Sequence, residues 1–203
     1  MSQTEIEADG LTIILVRPGT TNLDEQERIT GNLDVPLSAE GERQVQQIAA
    51  AMAPRQLDRI YAAPGVAGEA TARALSQGGR VKIRFDERLA NMNFGLWQGR
   101  RIAEVREAFP KHFKTWCEHP RRICPPEGET IDQLAERASR FLNWLERKHK
   151  QGTIVLIAAE PMASVLANTL RARPAEDSWC ISGQFGTWHL FDRSVLAATA
   201  KTA

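Results

Sequence analysis

Two short apolar runs limit most strongly how this 203-residue chain can fold. Residues 11–17 (LTIILVR) and 153–159 (TIVLIAA) are rich in β-branched side chains, and Pro18 and Pro161 follow shortly after them. Near-continuous apolar runs of this length are typical of strands that are buried on both faces of a parallel sheet. A sheet of that kind needs helices on both sides, so the two runs predict an α/β protein.

Helical patterns alternate with further predicted strands along the chain. Three stretches carry apolar residues at helical spacing together with a capping or stop signal: 38–54, 66–77 and 130–145. Three more runs have the composition of strands: 57–62, 81–85 and 184–191. This alternation predicts a three-layer α/β/α sandwich around a mostly parallel central sheet.

The length of the chain is that of one ordinary globular domain, so we expect residues 1–203 to form a single domain. Residues 100–128 contain amphipathic stretches that are broken by Pro110 and Pro120. They predict a small helical insertion that forms a lid.

Charge and composition narrow the classes of partner. The chain has 26 basic and 25 acidic residues, a balance that argues against binding to nucleic acid or to a membrane surface through bulk charge. Its polar start and short apolar runs predict a cytoplasmic protein with no membrane span. Three irregularly spaced cysteines favour reduced thiols, with a redox pair between Cys117 and Cys124 left open. No spacing of cysteine and histidine indicates a metal site, and we expect no cofactor.

Several motifs resemble one known family. Residues 17–21 read Arg-Pro-Gly-Thr-Thr and are followed by Asn22, and residues 31–44 contain a Gly-x-x-Asp-x-Pro-Leu-Ser run that continues to Gly41 and Gln44. Both resemble motifs of the histidine phosphatase superfamily, in its phosphoglycerate-mutase-like branch. Three further stretches match in the order and spacing of that family: 61–72, 94–99 and 128–130. The resemblance covers most of the chain and implies the fold of that family.

The same resemblance implies that the catalytic groups of the family are missing. Pro18 stands at the position of the phosphorylated histidine, Ala67 at that of a phosphate-binding arginine, Asn91 at that of the proton donor and Ala159 at that of a second histidine. The signature glutamate corresponds to Thr20. Proline has no lone pair with which to attack phosphorus, and an amide is no proton donor at neutral pH. The sequence therefore predicts a catalytically inactive pseudophosphatase with a ligand- or partner-binding role.

Five residues are candidates for binding a ligand in the former catalytic cleft. They are expected to meet at the carboxyl ends of the central strands, where open α/β sheets place their ligand crevices: Arg17, Thr20, Asn22, Asn91 and Glu160. The predicted occupant is a small anionic or polar molecule, or a protein partner. With Arg17 and Glu160 both present, we expect the cleft to be close to neutral.

Alternatives stay open at this stage. Arg17 either keeps an affinity for anions or forms a structural ion pair with Asp34 or Glu160. The chain is alternatively an enzyme, a phosphatase or another hydrolase with a non-standard mechanism in the same cleft. A structural partner subunit is a third possibility. The four histidines, His112, His119, His149 and His189, follow no predicted site strand, so we expect none of them to replace the missing nucleophile.

Overall fold

The computed structural model describes residues 10–175 and 184–193. Within these residues, five strands form one sheet: β1 (Leu11–Val16), β2 (Arg59–Ala62), β3 (Lys82–Phe85), β4 (Gly152–Ile157) and β5 (Trp188–Asp192). Their order across the sheet is β3-β2-β4-β1-β5. The first four strands run parallel, and β5 pairs with β1 in the antiparallel direction. This is the mostly parallel α/β sheet that the sequence predicts.

Seven helices connect or flank these strands in the described part of the chain: α1 (Asn22–Glu25), α2 (Ala39–Met52), α3 (Val66–Leu75), α4 (Ile102–Ala108), α5 (Pro110–Glu118), α6 (Ile131–Lys148) and α7 (Met162–Leu170). Alternate residues of β1 enter different cores. Ile13 and Leu15 pack with residues of α6 and α7, whereas Ile14 and Val16 pack with residues of α2 and α3. The two-residue period of a strand thus gives the sheet two apolar faces and the molecule three layers.

Two start signals in the sequence are confirmed as helix caps. The Ser38 hydroxyl accepts a hydrogen bond from Gly41 N (3.0 Å) at the start of α2. Thr130 and Gln133 form the predicted capping box of α6. These side chains satisfy amide groups that a helix leaves without partners in its first turn.

The segment 100–128 forms α4, α5 and a short 3₁₀ turn, Pro120–Arg122. Val105, Phe113 and Trp116 pack into the same core as one face of β1, and the rings of Trp116 and Phe94 lie 5.3 Å apart. Helices are present where the sequence predicts them, and their role as a lid stays a prediction. Cys117 and Cys124 are free thiols, and Cys180 lies outside the described residues.

The loop after β1 crosses the start of α2 at very short range, and two glycines make this crossing possible. A Cβ at Gly19 would lie 2.1 Å from Gly41 O, and a Cβ at Gly41 would lie 2.0 Å from Thr20 O. Both obstacles are backbone atoms, which cannot move aside as a flexible side chain can. The crossing fixes the loop that begins with Arg17.

We expect Gly41→Ala to lower the free energy of unfolding by about 1–3 kcal/mol, because the added methyl group forces the two backbone segments apart. Urea unfolding followed by circular dichroism measures this change. Glu42→Ala, at an exposed position in the same helical turn, is the matched control and should change stability by less than about 0.5 kcal/mol. Equal stability of the two variants would contradict the close crossing.

Candidate functional site

A cavity of about 340 Å³ opens at the carboxyl ends of β1, β2 and β4. The loop after β1 contributes Arg17 and Pro18 to its wall, the segment after β2 contributes residues 63–68, and the loop after β4 contributes Ala159 and Glu160. Its volume lies within the range of small-molecule sites. The position is the one that parallel α/β sheets use for ligands.

Most of the candidate residues line this cavity. Its wall includes the four positions at which the resemblance implies lost catalytic groups: Pro18, Ala67, Asn91 and Ala159. Arg17 and Glu160 are also part of the wall.

Thr20 and Asn22 are not among the described residues that line the cavity. Thr20 N donates to Gln44 Oε1 (3.0 Å), and the Thr20 hydroxyl lies 3.0 Å from the Ser38 hydroxyl, so Thr20 ties its loop to α2. Asn22 is exposed and begins α1. Ligand binding by any of the five candidates stays a prediction.

The centre of the site is an ion pair between Arg17 and Glu160. Arg17 Nε donates to Glu160 Oε1, and the two side chains are only 7% and 5% exposed. The second oxygen of Glu160 accepts from Ser164 N (3.1 Å) in the first turn of α7. Asp34, the other carboxylate considered for Arg17, instead accepts from Val66 N (2.6 Å) at the start of α3.

His189 also belongs to this site, although it follows no predicted site strand. Strand β5 runs beside β1, pairs His189 with Leu15, and brings His189 Nδ1 to 3.3 Å from Arg17 Nη1. Burial lowers the pKa of His189, the positive charges of Arg17 and Arg171 lower it further, and Glu160 raises it. An arginine only donates, so Nδ1 accepts and the neutral imidazole carries its proton on Nε2.

A smaller cavity of about 170 Å³ also borders the ion pair. Arg17 and Glu160 line both cavities, while Ser164, Arg171 and His189 line only the smaller one. The pair therefore forms part of the wall of both cavities.

All the hydrogen-bonding groups of the Asn91 side chain are directed at the backbone. Nδ2 donates to Gly31 O (3.0 Å) and Glu160 O (2.6 Å), and Oδ1 accepts from Met162 N (3.3 Å). Two carbonyl partners and one amide partner require a carboxamide at this position. Arg137 Nη1 holds the same loop through Ala90 O (2.5 Å). Arg137 also forms an ion pair with Glu129 (Nη2 to Oε2, 2.8 Å), so it links the start of α6 to the loop that carries Asn91. This role of Arg137 was not predicted from the sequence.

The charged side chains in the wall of the larger cavity are predominantly acidic. Among the described residues they are two arginines, Arg17 and Arg28, and four carboxylates, Asp24, Asp34, Glu87 and Glu160, a formal balance of −2. The expectation of a near-neutral cleft is therefore wrong. That expectation considered only the charges of Arg17 and Glu160, whereas the fold also places Asp24, Asp34 and Glu87 in the cavity wall.

Two classes of site find no support in the part of the chain that the structure describes. It contains no group of three or more His, Cys, Asp or Glu side chains that could hold a metal ion. None of its helices has the length and apolar composition needed to cross a bilayer.

Comparison with known proteins defines the family. The model of the histidine phosphatase superfamily (branch 1) matches residues 13–194. This chain belongs to that superfamily. Phosphoserine phosphatase 1 of Hydrogenobacter thermophilus is 27% identical over 146 residues, which are 72% of this chain and 69% of that protein. The adenosylcobalamin/alpha-ribazole phosphatase of Escherichia coli is 23% identical over 187 residues, 92% of each chain.

A solved structure supports the same fold for this superfamily member. The alpha-ribazole phosphatase from Shigella flexneri superposes with a TM-score of 0.78 at 24% sequence identity, covering 88% of this chain and 89% of that chain. The two proteins share the α/β architecture with helices on both sides of the sheet.

We expect Asn91→Asp to lower the free energy of unfolding by about 1–3 kcal/mol, because a carboxylate oxygen would face two carbonyl oxygens. The loss of stability relative to the wild type should become smaller as the pH falls. Burial against carbonyl oxygens raises the pKa of the new carboxyl group, and its protonated form can again donate a hydrogen bond. Urea unfolding at several pH values measures both effects. Asn143→Asp, at an exposed position of α6, is the control, and an equally small change in both variants would contradict the bonding described for Asn91.

Proposed function

We propose that this chain is a catalytically inactive member of the histidine phosphatase superfamily that binds a small molecule in the former active-site cleft. In this proposal residues 1–203 form one domain with a small helical insertion at 100–128, none of whose residues lines the cavity. The size and concave shape of the cavity favour a small molecule over a protein partner.

The observation that carries the proposal is the buried pair of Arg17 and Glu160. A phosphate-binding site needs a guanidinium that is free to form charge-assisted hydrogen bonds with the incoming anion. Here Arg17 already contacts a carboxylate of the protein itself, which is anchored by Ser164 N as well. Any phosphate ester must compete with Glu160, and the resident carboxylate has no entropy of association to overcome.

The other family positions support the same conclusion. The resemblance assigns the nucleophile to Pro18, whose nitrogen is part of a peptide bond and whose carbonyl accepts from Gly186 N (2.8 Å). Ala67 and Ala159 offer only methyl groups to the cavity. Asn91, at the position of the proton donor, uses both ends of its amide to hold the backbone. The positions that the resemblance assigns to the nucleophile, one anion-binding arginine and the acid thus carry side chains that cannot perform these roles.

A phosphatase with a different nucleophile is the second candidate, and one observation favours it. His189 is neutral and lies beside Arg17 at the smaller cavity, and proteins similar to this chain carry the name phosphatase. In that mechanism the imidazole would attack phosphorus, the alcohol would leave, and water would hydrolyse the phosphohistidine. We rank it second because the lone pair of Nδ1 already accepts from Arg17.

We expect the purified protein to show no phosphomonoesterase activity above background over a broad panel of phosphate esters. No acid-labile phosphohistidine should form during incubation with these esters. Restoring histidine with Pro18→His alone should not generate activity, since catalytic groups of this kind act as a unit. Turnover that disappears in His189→Ala would overturn the proposal and support the second candidate. His112→Ala, at an exposed position of α5, is the control for that variant.

We expect inorganic phosphate to bind the wild type only weakly and to bind Glu160→Gln at least about tenfold more tightly, because the loss of one charge-assisted contact corresponds to more than a factor of ten. A glutamine keeps an acceptor for Ser164 N but releases Arg17. Isothermal titration calorimetry measures the affinities, and thermal unfolding verifies that the variant is folded.

The control is Glu69→Gln, which changes the net charge equally but breaks only an exposed ion pair with Arg73 on α3. Tight binding of phosphate by the wild type, or equal affinities in the wild type and Glu160→Gln, would contradict the competing ion pair.

A further inference from the structure

The chemistry of the cavity wall indicates which class of small molecule the cleft accepts, on the basis of the proposed function. Much of the wall is apolar. Its larger apolar side chains are Ile29, Leu33, Val35, Val66, Phe94 and Phe185. A ligand with an apolar body therefore fits the cavity better than a fully polar one does.

Both arginines of the wall, Arg17 and Arg28, and the amide of Asn91 have partners within the protein. Arg17 contacts Glu160 and His189, and Arg28 donates to Gln26 Oε1 (3.0 Å) and Gly99 O (2.6 Å). The amide of Asn91 is directed at the backbone. An incoming anion would have to break these contacts before it gained its own.

Two of the four carboxylates of the wall, Asp34 and Glu87, have no cationic partner among the described residues. Asp34 and Glu87 are both exposed, Asp34 uses one oxygen for Val66 N, and Glu87 forms no ion pair within the described residues. The full negative charge of Asp34 also exceeds the partial positive charge at the start of α3, which is about half a unit. Asp24 is different, since both of its oxygens accept from Thr21 and Thr30.

We propose that the cleft binds a small organic cation, with its ammonium group near Asp34 and Glu87 and its apolar body against the hydrophobic wall. The formal balance of −2 around a partly enclosed cavity concentrates cations there, since low-dielectric walls focus the field of the lining charges. No contact inside the site must break for such a ligand to enter. A phosphate ester, in contrast, meets repulsion from the open carboxylates and competition from Glu160.

Three probes with the same tail and different charges test this inference: hexylamine, hexanol and hexyl phosphate. Calorimetry at low salt should give hexylamine about tenfold tighter binding than hexanol, as expected for one ionic contact near a protein surface, and hexyl phosphate the weakest binding. The preference for the amine should decrease as salt is added, because exposed charges are screened.

The double variant Asp34→Asn/Glu87→Gln should lose the preference of hexylamine over hexanol. Asparagine keeps an oxygen for Val66 N, so α3 retains its cap. The control double variant Glu107→Gln/Glu118→Gln removes two exposed carboxylates on α4 and α5 and should bind like the wild type.

Binding of hexyl phosphate more tightly than hexylamine, or no binding of any of the three probes, would overturn the organic-cation inference. Neither result bears on the proposed inactivity of the protein, which the separate phosphatase assay tests. Hydrolysis of hexyl phosphate would overturn the proposed function itself.

Discussion

The buried ion pair of Arg17 and Glu160 is the interaction on which the character of this site depends. It joins the end of β1 to the start of α7, and His189 of β5 completes it from the neighbouring strand. A buried pair contributes little net stability when both partners are present, because desolvation offsets the attraction between the charges. Loss of one partner is far more costly, since it leaves a buried charge uncompensated. The pair thus couples the loop after β1 to the start of α7.

The loops around the pair are held by contacts that leave little freedom. The crossing of the β1 loop over α2 needs Gly19 and Gly41, and the loop that carries Asn91 is fixed from behind by Arg137. Asn91 then ties that loop to the segments around residues 31 and 160.

Different kinds of residue in the cleft were predictable to different degrees. Arg17, Asn91, Ala159 and Glu160 follow strands or lie in recognisable motifs, so their meeting at one edge of a parallel sheet follows from the sequence. The position of His189 could not be predicted in this way, since its place beside Arg17 depends on the strand order and on the antiparallel direction of β5. The acidic balance was also missed, because Asp24, Asp34 and Glu87 are far apart in the chain and are assembled only by the fold.

The sequence by itself determined the layers of this protein and the family to which it belongs. Apolar runs specify buried strands, and Ser38 and Thr130 specify helix starts, because both signals act over a few neighbouring residues. Tertiary structure alone decided which carboxylate pairs with Arg17. The sequence offered both Asp34 and Glu160 as partners, and the outcome depends on distances across the cleft. Asp34 caps α3 and Glu160 meets the guanidinium because chain segments remote in sequence converge at the carboxyl edge of the sheet.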